Sequence, residues 1–169
     1  MSKRTCFSTV TPLPADISRE TVLSTLRNHF EMIDLNPLVI DRHKSKAPDY
    51  ALEEELHAHW YAITDSIKYV PGMKGIATTY HGCFHDLADG IQTHVYAPAG
   101  LEIKGRWTLG GSLPGEPPQP VELGLDLPRV GLWLKEDVDM KCNILLTSFV
   151  KRTLKKSHSH LVGKLLEKA

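Results

Sequence analysis

A chain of 169 residues is long enough for a single domain, residues 1–169, with a substantial hydrophobic core. Twenty basic and twenty acidic residues leave no net charge, which argues against a nucleic-acid partner because nucleic-acid-binding proteins usually carry a positive excess. Without a long apolar run, a signal-peptide pattern or paired cysteines, we expect a cytoplasmic protein with no stable membrane insertion and no disulfide framework.

Apolar periodicity divides the chain into strands and two helices. In chain order it predicts a strand at 5–11, a helix at 18–35, strands at 38–41 and 56–64, a continuation at 67–70, strands at 75–85, 91–96, 101–109 and 131–141, and a helix at 144–169. Ser18 is a suitable N-cap for the first helix, and Asn36 followed by Pro37 ends it. Helices that flank a series of antiparallel hairpins indicate an α+β fold.

Two loops interrupt this pattern. The polar segment 44–55 follows the second strand, and 110–129 contains five prolines and four glycines, which no central strand tolerates. A loop as long as 110–129 is often a lid over a binding site, and the alternative is a stiff surface excursion. The sequence favours the surface excursion only slightly.

The last predicted helix is the most informative element. Its apolar positions form one stripe that comprises Leu145, Phe149, Leu154, Leu161, Leu165 and Leu166. A helix of about 24 residues is roughly 36 Å long, enough to cross a small domain. Laid over a curved antiparallel sheet, such a helix tends to leave a cavity, so the sequence predicts a container for an apolar ligand.

At this point the chain resembles the START-like (polyketide cyclase-like, SRPBCC) superfamily. The features that carry the resemblance are the early helix, its exit over residues 35–39, the antiparallel strands and the C-terminal helix. The segments EMIDLNPLVI, QTHVYAPAGLEIKGRWTLGGSLPGEPP and EDVDMKCNILLTSFVKRTLKKSHS are more closely similar to an uncharacterised family of small fungal proteins assigned to this superfamily.

The resemblance implies a helix-grip fold, in which a curved antiparallel sheet wraps around the long C-terminal helix and an N-terminal helix follows the first strand. Superfamily members include lipid carriers, plant hormone receptors and aromatic-polyketide cyclases. Fold alone does not decide among these activities. One departure concerns the first helical region, where only one helix is evident and relatives often have two.

The expected hairpin registers bring several polar groups onto one sheet face. A two-residue turn at 89–90 would pair His85 with His94, and a loop at 97–100 would pair His94 with Ile103. One face would then carry His81, Cys83, His85, His94, Tyr96, Leu101, Ile103 and Trp107. Its apolar members favour the helix-covered side. The alternative is the solvated convex side, and a one-residue bulge would turn part of the set outward.

Four residues are candidates for chemistry. His85 and His94 suit general acid–base roles, and Tyr96 could donate a hydrogen bond to a carbonyl or enolate oxygen. Glu136 stands in the phase of an otherwise apolar strand face, where it either transfers protons or pairs with a nearby cation. We expect the ligand-binding residues to be His81, Cys83, Leu101, Ile103, Trp107, Leu134, Met140, Leu145 and Phe149.

No cofactor or metal is expected, because the chain lacks phosphate-loop, CxxC and HExxH spacings. Two functions remain open. The first is a cofactor-independent cyclase or isomerase that folds a polyketide or terpenoid, by a [4+2] cyclisation among other routes. The second is a non-catalytic carrier of a lipid or sterol-like molecule. The basic residues of the last helix could touch an anionic membrane, although a solvated outer face is the favoured interpretation.

Overall fold

The computed structural model describes residues 1–68, 70–120, 124 and 126–169. The strands of this part of the chain are β1 (Ser2–Pro12), β2 (Val39–Ser45), β3 (His59–Ile67), β4 (Ile76–Leu87), β5 (Gly90–Tyr96), β6 (Glu102–Ser112) and β7 (Gly131–Asn143). Its α-helices are α1 (Arg19–Arg27), α2 (His29–Ile33) and α3 (Thr147–Lys168), and a short 3-10 turn covers Glu53–Glu55.

The strands form one antiparallel sheet in the order β1-β7-β6-β5-β4-β3-β2. Side chains of α3 pack on one face of this sheet, and α1 and α2 pack at the end where α3 finishes. This confirms the predicted α+β helix-grip fold. None of the helices in the described ranges is long and apolar enough to cross a membrane.

The predicted single helix at 18–35 is wrong, because Asn28 divides it into α1 and α2. The Asn28 amide donates to Ser24 and Thr25 at the end of α1, and its side-chain oxygen accepts a hydrogen bond from the Glu31 amide. Asparagine favours such caps because its short side chain competes for backbone hydrogen bonds. The two helices remove the expected departure from the superfamily.

The inward stripe of α3 also differs from the prediction. Asn143 holds a turn by accepting a hydrogen bond from the Leu145 amide, so α3 begins at Thr147 rather than at 144. As a result Leu145 is 86% exposed and Phe149 is 40% exposed. The residues that face the sheet are Val150, Leu154, His158, Leu161 and Leu165.

The apolar core beneath α3 falls into two clusters. The larger one joins Leu161 and Leu165 to residues of α1, α2 and the central strands, including Leu134 and Trp107. The smaller one joins Val150 to Met140 and its neighbours near the start of α3. The stretch of α3 between the two clusters contains His158, so the middle of the helix-covered face is polar.

Candidate ligand site beneath the long helix

The register between β5 and β6 decides which residues face α3. Tyr96 pairs with Glu102, one residue beyond the predicted partner, because the connection has five residues and closes through the Ala97 amide and the Leu101 carbonyl at 2.8 Å. Ala99 and Gly100 both adopt positive φ in this loop. A shift of one residue moves every later side chain to the other face.

The predicted single face is therefore wrong and its residues divide into two groups. Ile103 and Trp107 face α3, whereas the polar residues lie on the convex face, namely His81, Cys83, His85, His94 and Tyr96. The β4–β5 register also differs, since His85 pairs with Gln92, but a shift of two residues keeps the face unchanged. His85 is exposed on this surface.

Of the other predicted site residues, Glu136 lies on the helix-covered face with Trp107 and Ile103. Leu134 and Met140 share that face but keep no exposed surface, and Leu101 packs beside the smaller cluster. Leu145 and Phe149 do not join them, because they lie on the exposed side of the turn into α3 and of its first turn.

Glu136 and His158 form a hydrogen-bonded pair in the polar middle of this face. Glu136 Oε1 lies 3.2 Å from His158 Nδ1, and His158 Nε2 lies 2.8 Å from the Thr11 hydroxyl. The Trp107 ring packs against the imidazole with the ring centroids 5.0 Å apart. A hydroxyl that donates to Nε2 and an Nδ1–H that donates to Glu136 Oε1 satisfy both nitrogens of the imidazole.

The second carboxylate oxygen of Glu136 remains available. Oε2 accepts no hydrogen bond from any residue in the described ranges, although Glu136 is only 8% exposed. A carboxylate oxygen has strong acceptor capacity, and Oε2 is accessible from the open side of the pair. The pair can therefore accept a hydrogen bond or a proton from a bound molecule.

Open space adjoins this pair on the side toward the start of α3. Gly105 faces α3 and lies diagonally across the β6–β7 pair from Glu136. Among the described residues, and apart from its neighbours in the chain, only Thr93 Oγ1 would lie within 4 Å of a Cβ at this position, at 2.8 Å. Thr93, Val95 and Ile103 around it lie on central strands and face the helix, yet they are only half-buried. We call this space the hollow. Its floor is Thr93, Val95, Ile103 and Gly105.

Two further depressions lie on the outer surface. One of about 440 Å³ lies chiefly on the convex face beside Ser8, Arg106 and Asp137. The other, of about 700 Å³, follows the outer side of α1 from Glu20 to Asn28.

The convex face contains a second polar group around the buried His94, the convex cluster of Glu55, His94, Tyr96 and Glu102. His94 Nδ1 contacts Glu55 Oε1, and its Nε2 lies 2.6 Å from Glu102 Oε1. The Tyr96 hydroxyl donates to Glu55 Oε2 at 2.7 Å. Burial, followed by the hydrogen bond to Glu55, raises the pKa of Tyr96.

The segment 46–58 covers this cluster and closes it. Glu55 comes from the 3-10 turn of that segment, and its carbonyl accepts a hydrogen bond from the Trp60 indole at 2.8 Å. Burial raises the pKa of the Cys83 thiol to about 12, with a further contribution from Glu55. Each polar group here already has a protein partner, so the cluster fastens a loop to the sheet.

A third polar cluster closes the inner end of the helix-covered face. His29 of α2 is buried, with Nδ1 2.7 Å from the Tyr61 hydroxyl and Nε2 2.7 Å from Asp86 Oδ1. Burial, and then the charge of Asp86, raises the pKa of Tyr61. Phe30 and Phe84 pack edge-on against Tyr61, so these contacts attach α2 to the sheet.

Sequence reasoning missed several residues of the site. His158 continues the spacing of Leu154, Leu161 and Leu165, and that phase was the signal that it faces inward. Thr11, Thr93 and Gly105 carry no comparable signal, because their role depends on strand register. Among the described residues, no group of three or more His, Cys, Asp or Glu side chains is arranged to hold a metal ion.

Comparisons with known proteins agree with the fold. The model of DUF7053, a domain of unknown function, matches residues 2–169. No curated protein matches the sequence. Among solved structures, Ara h 8.0201 has a TM-score of 0.59 at 11% identity, and 99% of each chain is covered. A START superfamily protein from Mycobacterium smegmatis has a TM-score of 0.57 at 13% identity, covering 97% of this chain and 99% of that one.

A third similar structure is the di-domain ARO/CYC StfQ from the steffimycin biosynthetic pathway. Its TM-score is 0.63 at 12% identity, and the match covers 98% of this chain but 51% of StfQ, so this chain spans about half of that protein. Identities this low establish a shared START-like fold and leave the activity to be argued from the site.

Proposed function

This chain belongs to the DUF7053 family, and we propose that it binds an apolar, oxygen-bearing small molecule in the hollow beneath α3. The observation that carries the proposal is the Glu136–His158 pair beside the open space over Gly105. Half-buried aliphatic side chains offer an apolar surface, and a few placed polar groups fix a ligand's orientation.

The spacing of the polar groups favours a ligand with oxygens at two positions. The Thr93 hydroxyl lies two strands from Glu136, which corresponds to about 10 Å across the sheet. Glu136 Oε2 would accept a hydrogen bond from a hydroxyl or enol, while Thr93 would donate to a carbonyl at the far end. Multiply oxygenated polyketides and terpenoids have this character.

We further propose that the chain promotes cyclisation or rearrangement of such a molecule. Glu136 would take a proton from an acidic C–H or O–H group, and His158 would hold the carboxylate through Oε1. The hollow would hold the reacting carbons close together, which lowers the entropic part of the barrier. Trp107 packs against His158 and would fix the imidazole in this position.

A non-catalytic carrier is the second candidate. The observation in its favour is that both nitrogens of His158 already have protein partners, so the pair can anchor a ligand without any change in that ligand. A carrier would need the same hollow and the same hydrogen bond but no proton transfer.

Binding is tested with two probes that differ only in polarity. We expect 6-acetyl-2-naphthol, whose oxygens lie at opposite ends of the ring system, to bind more tightly than 2-ethylnaphthalene. Glu136→Gln should weaken binding of the ketone about tenfold without affecting binding of the hydrocarbon, because one hydrogen bond to a carboxylate is lost. Asp137→Asn is the matched control, since Asp137 is the next residue of β7 and faces the other side. Equal affinities of Glu136→Gln and the parent protein for the ketone would contradict the proposal.

Proton transfer separates the two candidates. A 1,3-diketone deuterated between its carbonyls should lose deuterium faster in the presence of the protein than in buffer, and Glu136→Gln should abolish the difference. Binding of the diketone with exchange at the buffer rate would support the carrier and refute the catalytic proposal.

A further inference from the structure

One end of the sheet collects exposed apolar side chains. The strand pairing places the start of β1, β2, β4 and β6 at the same end as the finish of β3, β5 and β7. We call this the apolar end. Its exposed large apolar residues, between 39% and 95% exposed, are Met1, Ile40, Val70, Met73, Ile76, Ile144, Leu145, Leu146 and Phe149.

The charges of the chain are also separated between the two ends. The segments 1–4, 34–40, 66–76, 97–101 and 141–152 at the apolar end contain seven basic residues and one acidic residue, Asp34. These basic residues are Lys3, Arg4, Lys68, Lys74, Lys141, Lys151 and Arg152. The strand connections at the opposite end, 12–20, 86–90 and 112–118, contain five acidic residues and one basic residue, Arg19.

We propose that the apolar end docks on an anionic phospholipid membrane. Aliphatic side chains would enter the interface between headgroups and acyl chains, and the surrounding lysines and arginines would contact the headgroups. Exposed apolar residues on this scale are unusual for a surface that faces only water. The combination of the two features matches an anionic bilayer, because the bilayer supplies both negative charge and an apolar layer.

A second copy of the chain fits this surface less well. A two-fold contact through the apolar end would bring two sets of basic residues together, and like charges in contact are unfavourable. A membrane has no such penalty. The zero net charge of the whole chain does not oppose docking, because the attraction depends on the local excess at the surface.

The docking surface goes beyond the proposed function and does not depend on it. The hollow lies on the same side of the molecule, since Gly105 is three residues from the start of β6 at the apolar end. An apolar ligand could therefore pass between the bilayer and the hollow. Docking would persist in variants that lose ligand binding, such as Glu136→Gln.

Cosedimentation with vesicles tests the proposal. We expect at least tenfold tighter binding to vesicles of 70% phosphatidylcholine and 30% phosphatidylserine than to pure phosphatidylcholine, with a loss of binding at high salt. The double variant Met73→Glu with Leu145→Glu should lower binding to the anionic vesicles at least tenfold. Lys68→Ala and Lys74→Ala should each lower it about fivefold.

The double variant Val130→Glu with Leu166→Glu is the matched control, because it adds the same charge at two exposed apolar positions outside the apolar end. All four glutamate sites are exposed, and circular dichroism verifies the fold of each variant. Three results would each overturn the proposal. The first is no binding to the anionic vesicles, and the second is an equal loss of vesicle binding in the test and control variants. The third is a protein that does not bind vesicles but forms a concentration-dependent dimer, which Leu145→Glu dissociates.

Discussion

On each side of the sheet a histidine lies between hydrogen-bond partners, and His94 is buried whereas His158 is half-buried. On the convex face His94 lies between Glu55 and Glu102, and on the helix-covered face His158 lies between Glu136 and Thr11. The surroundings differ, because the convex cluster is closed by 46–58, whereas Glu136 keeps one oxygen without a partner beside the hollow. A polar group whose hydrogen bonds are all made within the protein stabilises the fold. A polar group that lacks a protein partner for one hydrogen bond, and that lies beside open space, can bind a ligand.

The largest effect is expected on stability, when a substitution breaks the convex cluster. His94→Ala would remove the hydrogen-bond partner of the largely buried Glu55 carboxylate and should lower the free energy of unfolding by about 3 kcal/mol. His85→Ala, at an exposed position of the neighbouring strand, should change it by less than about 0.5 kcal/mol. Urea denaturation measures both values.

We do not expect this loss of stability to be accompanied by weaker binding of the probe. At a temperature where His94→Ala is fully folded, its affinity for 6-acetyl-2-naphthol should match that of the parent protein. If His94→Ala bound the ketone tenfold more weakly while folded, the convex cluster would belong to the site and the distinction between the two faces would fail.

The next largest effect is expected on probe binding, when a substitution fills the hollow. Gly105→Leu combined with Thr93→Ala would place a side chain over the floor, and Thr93→Ala removes the one atom within 2.8 Å of the new Cβ. Both the ketone and the hydrocarbon should then bind at least tenfold more weakly, because the apolar surface is covered. Thr93→Ala alone is the control and should affect only the ketone.

The smallest effect concerns the thiols. Cys6 is exposed, whereas Cys83 and Cys142 are buried and burial raises the pKa of Cys83 to about 12. One thiol should therefore react quickly with Ellman's reagent at pH 8, and two should react slowly. Fast labelling of Cys83 in the parent protein, detected by peptide mapping, would show that the convex cluster is open to solvent.

The sequence predicted the α+β class and the long final helix because these depend on periodicity, which is local. The inward position of Glu136 followed from its phase among Leu134, Val138 and Met140 on one strand. No knowledge of the neighbouring strands was needed for either prediction.

The assembly of the site could not be predicted, because it depends on loop geometry. One extra residue in the β5–β6 connection separated His94 and Tyr96 from Ile103 and Trp107. The turn held by Asn143 likewise moved Leu145 out of the apolar stripe. Both features depend on a backbone conformation that alternating polarity does not encode.

The hollow itself is most directly tested by locating a bound ligand. In NMR spectra of the protein saturated with 6-acetyl-2-naphthol, we expect intermolecular contacts from the naphthalene ring to the Val95 methyl groups and to the His158 imidazole. Contacts confined to convex residues such as Arg106, or saturation without any contact to Val95 or His158, would contradict a binding site beneath α3.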